Sequence, residues 1–221
     1  HGDGVQAAFY DDPRVLTVSL HESPRTLFPG TGEPTESGGP NAKGMSVNVA
    51  LPPGTADAGW LRAFDAVVPP LAHAFQPDLL VTQLGCDSHM DDPLAHLMMS
   101  VDGQRQIQLT LHDLAHEVCG GRWVATGGGG YSVIDVVPRT WTHLLATVAG
   151  TPLDPETATP QQWRDDVQAI AGRSAPVSMT DGRVAEFTPW SRGYNPDSWL
   201  DRCVDQVRQE VFPWHGLHPA Y

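Results

Sequence analysis

Asp87, His89, Asp91 and Asp92 fall within six residues, in the stretch Gln83-Leu84-Gly85-Cys86-Asp87-Ser88-His89-Met90-Asp91-Asp92-Pro93. Carboxylate and imidazole are the side chains that zinc and other divalent ions take as ligands. Asp87 and His89 are two apart, so on an extended strand end they point the same way. The same cluster also reads as a solvated turn in which Asp91 and Asp92 cap the backbone and His89 faces water. Spacing alone leaves both readings open.

Two further stretches carry residue types that could do chemistry. Gly127-Gly128-Gly129-Gly130-Tyr131 removes four successive Cβ atoms, so the backbone can pass close to a ligand or to a packed neighbour. It lacks the spacing of a phosphate-binding loop. Tyr131 could place a phenol where an oxyanion develops, or it could simply pack. His112-Asp113-Leu114-Ala115-His116 sets two histidines on one helix face. A zinc-peptidase motif needs Glu directly after the first histidine, and Asp113 is a shorter acid there, so a packed or solvated helix face is the better account.

The elements that must position these groups are legible as apolar runs. Residues 15–20, 46–51, 79–82 and 122–126 are short and largely apolar, with β-branched residues in each run, and they predict buried strands. Between the first two lies a segment over 21–44 dense in Gly, Pro and Ser, predicted to be a long loop. Val5, Ala8 and Phe9 share the face of a short helix. Trp60, Leu61, Phe64, Val67 and Val68 predict an amphipathic helix that Pro69-Pro70 should break or kink. Residues 101–119 predict a helix closed by Gly120-Gly121, and 133–148 a helix bent at Pro138. Strands alternating with helices at this spacing indicate an α/β fold with a mostly parallel sheet. In such sheets ligands bind beyond the carboxyl ends of strands, where the Asp87 and Tyr131 loops both fall.

After residue 150 the composition shifts toward Pro, Thr, Asp and Gly, with a helical patch around Trp163, Val167 and Ile170. Asn195-Pro196-Asp197 reads as a cap with proline at the first helical position, opening a helix with Trp199, Leu200, Cys203, Val204, Val207 and Val211 on one face. The expected organisation is a sheet domain over 1–150 and a helical elaboration over 151–221 packed on it.

A formal charge of −13, with Lys43 the only lysine, argues against a nucleic-acid partner and against an acidic membrane face. At 221 residues and 40% hydrophobic content the chain can bury one sizeable core. Cys86, Cys119 and Cys203 are odd in number and form no CxxC pair, which fits a reducing, cytoplasmic setting.

Taken together, His1-Gly2-Asp3-Gly4-Val5, Val18-Ser19-Leu20-His21, Phe28-Pro29-Gly30-Thr31-Gly32, Ser46-Val47-Asn48-Val49, Gly85-Cys86-Asp87-Ser88-His89 with Asp92-Pro93, and Gly127 to Tyr131 resemble the histone deacetylase superfamily. The nearest likeness is to its bacterial acetoin-utilization branch. The motifs occur in family order over roughly residues 1–150. The resemblance implies a three-layer arginase/deacetylase α/β fold, here incomplete on its N-terminal side. It also implies hydrolysis of an N-acetyl amide, either acetyl-lysine in a protein or a small acetylated amine.

The cofactor implied is zinc, with ferrous iron as the alternative, and Asp87 matches one of its ligands. Tyr131 matches the tyrosine that hydrogen-bonds the acetyl carbonyl, and Asp3 the acid that orients a catalytic histidine. Phe28, Leu94 and Gly129 match substrate-binding positions of the acyl-lysine tunnel. Ser19 and Leu20 match one structural monovalent-cation site, a potassium site, and Phe9, Asp12 and Val15 a second. His89 is left as a rim residue without an assigned role.

The departure is equally specific. In the family an Asp-x-His supplying two zinc ligands directly precedes this His-Gly-Asp-Gly, and a His-His pair lies further upstream; neither is in this chain. The expectation is therefore a C-terminal part of an enzyme, inactive by itself. The rival readings are a pocket-bearing scaffold without catalysis and a manganese ureohydrolase of the same fold.

Overall fold

A computed structural model describes residues 1–220. In chain order the elements are α1 (Asp3–Phe9), β1 (Thr17–Glu22), β2 (Ser46–Leu51), α2 (Asp57–Phe75), β3 (Leu80–Gln83), α3 (Val101–Cys119), β4 (Trp123–Thr126), α4 (Val137–Val148), α5 (Gln161–Ala171) and α6 (Trp199–Val211). They pack as two compact units, one built from His1–Pro77 with the stretch from Phe187 onward, the other from Asp78–Glu186. The segment after residue 150 is thus shared between the units.

In the first unit β1 and β2 pair in parallel, from Thr17 opposite Ser46 to Glu22 opposite Leu51. Every residue of β2 is buried, as a parallel strand covered on both faces requires. The connection over 23–45 is the expected loop. Helices α2 and α6 pack on each other, and α6 also packs on β2.

Three expectations need correcting here. Pro69 and Pro70 do not break α2, which runs through both. A proline at 70 cannot donate to the carbonyl of Ala66, and the buried Arg208 of α6 supplies that donor through Nη1 instead. The cap of α6 is Ser198, whose hydroxyl accepts from the Asp201 N–H at 3.2 Å; Asn195 forms a local turn by accepting from the Asp197 N–H. Trp199 is half exposed, while α6 buries Val204, Val207 and Val211 together with Asp201 and Arg208.

In the second unit β3 and β4 are parallel, from Leu80 opposite Trp123 to Gln83 opposite Thr126, with α3 as the connection. Helix α3 has the predicted bounds, capped by the Ser100 hydroxyl at one end and by Gly120 in the left-handed conformation at the other. Pro138 does not bend a longer helix; it sits in the first turn of α4, where its missing N–H costs no helical bond. In α5 Val167 is buried, but Ile170 points outward.

Candidate functional site

Because β3 and β4 are parallel, their carboxyl ends lie on the same edge, and their two loops leave side by side. The pairing continues past the strands: the Leu84 N–H donates to Thr126 O at 2.9 Å, and the Cys86 N–H to Gly129 O at 2.6 Å. So close an approach accounts for the glycine run. A Cβ on Gly128 would overlap the Gln83 amide, one on Gly129 the Asp87 carboxylate, and one on Gly130 the Cys86 sulfur. None of these glycines has a left-handed φ, so the requirement is for space and not for backbone freedom. Cys86, Val101 and Val136 form the apolar floor, with Val137 and Trp141 against them.

Asp87 therefore sits with its carboxylate against the backbone of the glycine loop. Burial, reinforced by the charge of Asp92, pushes its carboxyl above the usual carboxylate range. Asp92 ties the loops together. Its Oδ1 accepts from the N–H groups of Leu94 at 2.9 Å and Ala95 at 3.3 Å, and its Oδ2 accepts from the Tyr131 N–H at 3.0 Å. Tyr131 is half exposed, as is Leu94.

His89 is not at a rim. It is 1% exposed, with Nδ1 accepting from the Asp91 N–H at 3.0 Å and Nε2 2.8 Å from Asp181 Oδ2. The first bond leaves the proton on Nε2, which donates to Asp181. Sequence reasoning missed Asp181 and Arg139 because nothing local marks them.

The remaining candidates lie in the first unit. Asp3 is exposed in the first turn of α1 and lines an open cleft of about 490 Å³ with Gln6, Ala7, Tyr10, Thr31 and Glu36. Ser19 and Leu20 are on β1. The Ser19 hydroxyl accepts from the Gly2 N–H at 3.3 Å and donates to His21 Nδ1 at 2.9 Å, since His21 Nε2 must carry the proton it gives to Gly32 O at 3.0 Å. Burial pushes the His21 imidazole down to about 4.

Phe9, Asp12 and Val15 form successive turns, the Asp12 N–H donating to Phe9 O and the Val15 N–H to Asp12 O. The Asp12 side chain pairs with Arg14 at 2.7 Å on the surface, which lowers its carboxyl to about 2. Phe28 is 89% exposed.

A buried polar network around Gln6 also escaped the sequence. Gln6 Oε1 accepts from Asn48 Nδ2 at 2.7 Å and from the Ser46 hydroxyl at 3.0 Å, while its Nε2 donates to Glu36 at 2.6 Å. Glu36 in turn accepts from the N–H groups of Gly32 and Glu33.

His112 and His116 do share a face of α3, with ring centroids 4.8 Å apart. Among the described residues no three His, Cys, Asp or Glu side chains are placed to hold a metal ion. Catalytic zinc takes three protein ligands, and of these the resemblance assigns Asp87 alone to this chain, so the described residues do not make up the implied zinc site.

Residues 1–148 match the family model described as the histone deacetylase domain. The acetoin utilization protein AcuC of Bacillus subtilis is 41% identical over 181 residues, covering 82% of this chain and 46% of that protein. A probable deacetylase of Archaeoglobus fulgidus is 38% identical over 175 residues, covering 77% and 48%. The crystal structure of an HDAC homolog from Aquifex aeolicus matches with a TM-score of 0.74 at 25% identity, over 94% of this chain and 54% of that one. The chain spans about half the length of the curated relatives it matches.

Proposed function

The chain belongs to the histone deacetylase family, has that family's α/β fold, and from this premise we propose that the protein it comes from is a metal-dependent deacetylase hydrolysing N-acetyl amides. The substrate class is acetyl-lysine in proteins or small acetylated amines. The observation that carries the reading is the interlocked pair of loops after β3 and β4, in which Asp87 lies against Gly129 and Asp92 holds the Tyr131 backbone.

In this reading the Tyr131 phenol donates to the acetyl oxygen as the carbonyl becomes tetrahedral, where a fixed donor stabilises developing charge more than ground-state charge. Leu94 and Gly129 in the second unit and Phe28 in the first are each proposed substrate-binding residues, and Asp3 is proposed to orient a catalytic histidine. Asp87 is the metal ligand proposed among the described residues. Zinc is the proposed metal, with ferrous iron the alternative. The Ser19–Leu20 and Phe9–Asp12–Val15 positions are proposed structural potassium sites. Residues 1–150 are proposed as part of the catalytic domain, with 151–221 as its elaboration.

No helix among the described residues is long and apolar enough to cross a membrane, and the three cysteines are free; a cytoplasmic setting is part of the proposal. The test is turnover of an acetyl-lysine peptide by the full-length protein. Asp87→Ala and Tyr131→Phe should each lower kcat/KM by about 100-fold or more. Wild-type turnover in both variants would discard the assignment.

A further inference from the structure

Asp181 lies 92 residues beyond His89, outside any helix or strand, and its carboxylate joins three elements of the second unit. Oδ2 accepts from His89 Nε2 at 2.8 Å and from the Val101 N–H at the start of α3 at 2.8 Å. Oδ1 is 2.8 Å from Arg139 Nη2. Arg139 is 4% exposed and stands in the first turn of α4, the helix entered from the glycine loop. It also donates to Asp135 O at 2.6 Å and to Thr180 O at 3.0 Å.

The segment holding Asp181 is itself fixed. Asp102, in the first turn of α3, accepts from the Thr180 hydroxyl at 2.7 Å and from the N–H groups of Asp181 and Arg183 at 3.0 Å each. Burial opposes ionisation of Asp181, but the bonds from His89, Val101 and Arg139 outweigh it and hold the carboxyl well below the usual range. The anion is thus a permanent part of the packing.

His89 sits midway along the Asp87–Asp92 loop and is bonded at both ring nitrogens, to Asp91 and to Asp181. Arg139 follows Tyr131 by eight residues, across the short turn that opens α4. We propose that Asp181 is a positioning residue for the candidate site, fixing the Asp87 loop through His89 and the Tyr131 loop through Arg139. A residue from the Pro-rich stretch after 150 thereby sets the geometry of two loops whose motifs lie far upstream. The inference rests on the deacetylase reading for its catalytic consequence but not for its structural one.

The experiment pairs amide hydrogen exchange with kinetics on the full-length protein. In Asp181→Ala, exchange should speed by about tenfold or more over residues 87–92 and 129–131, while the amides of α5 are unchanged. On an acetyl-lysine peptide kcat should fall by about tenfold to 100-fold with KM within about twofold, since a loop misplaced by an ångström loses transition-state contacts. Asp181→Asn keeps a carbonyl acceptor for His89 and should recover a measurable part of kcat.

Faster exchange confined to residues 178–183, or wild-type kcat in Asp181→Ala, overturns the proposal. If Asp181→Ala does not fold, Asp181→Asn and His89→Gln are read by the same two measurements against the same two limits. If Asp87→Ala and Tyr131→Phe keep full turnover, it is the deacetylase reading that fails, and the exchange pattern still decides whether Asp181 holds both loops.

Discussion

The two strand pairs are both parallel, yet they hold their loops with different partners. Around β1 and β2 the position of the loop is written in side-chain polarity. Ser46 and Asn48 are buried on β2 and bond Gln6, Gln6 bonds Glu36, and Glu36 and His21 grip the backbone at 32–33. Around β3 and β4 the strands alternate in burial, leaving Val81 at 63% and Val124 at 47% exposure. There the loops are set by backbone bonds made at glycine distance and by acids anchored outside the sheet. A network of buried polar groups is costly to leave half satisfied; a glycine contact fails as soon as a side chain is added. The first pair should therefore be the more sensitive to protonation, while both pairs carry glycines, Gly32 against His21 in the first and Gly129 against Asp87 in the second, where an added side chain has no room.

Volume should give the largest effect. Gly129→Val forces atoms into the space of the Asp87 carboxylate, and overpacking of this kind costs about 3 kcal/mol, read as a lower urea midpoint at constant slope. Gly4→Ala is the internal contrast, because a Cβ there meets nothing within 4 Å and α1 is helical; it should stabilise by about 0.5 kcal/mol. Equal destabilisation by the two would mean that the close approach at Gly129 is not what sets the cost.

Protonation should come next, and in the first unit. Folding lowers the His21 imidazole to about 4 from the usual 6.5. Above the unfolded value both states are neutral and the residue contributes nothing to pH dependence. As pH falls below 6.5 the unfolded state takes up a proton that the folded state refuses, so stability declines until about pH 4. Between pH 7 and pH 5 the loss is about 2 kcal/mol. His21→Gln should remove that part of the slope in urea titrations at the two pH values. An unchanged slope would mean that burial does not keep the ring neutral. His143 in the second unit is also lowered by burial, so it contributes to the slope that remains.

How much of this could be read from the chain depends on the sequence distance of the determining partner. The run over 46–51 and the helix over Val101–Cys119 appear where expected, because β-branched runs and glycine caps act locally. The turn at Asp92-Pro93 was legible for the same reason. The continuity of α2 through Pro69-Pro70 was not, since the donor that replaces a missing helical bond comes from Arg208. Nor was the burial of His89, which depends on Asp181 and Arg139.

At the site, periodicity could bring the Asp87 and Tyr131 loops to one sheet edge but could not choose between a ligand cluster and a solvated turn. Resemblance made that choice, and it was silent on Asp181 and on the network around Gln6. Polar groups buried by tertiary contacts leave no periodic trace in the chain.

The smallest expected effect tests the strands themselves. Val49 on β2 is fully buried, whereas Val81 on β3 is exposed, although both are valines in parallel strands. Replacing valine by threonine keeps shape and β-branching while adding one hydroxyl. In the buried strand that hydroxyl must find a partner among side chains already committed to one another, at a cost of about 1–3 kcal/mol. On the exposed face water satisfies it, and the change should stay within about 0.5 kcal/mol. Urea unfolding of Val49→Thr and Val81→Thr measures the difference directly. A cost at Val81 as large as that at Val49 would mean that the β3–β4 face is covered in the protein as it works, and the contrast between the fully buried strand β2 and the half-exposed strand β3 would have to be given up.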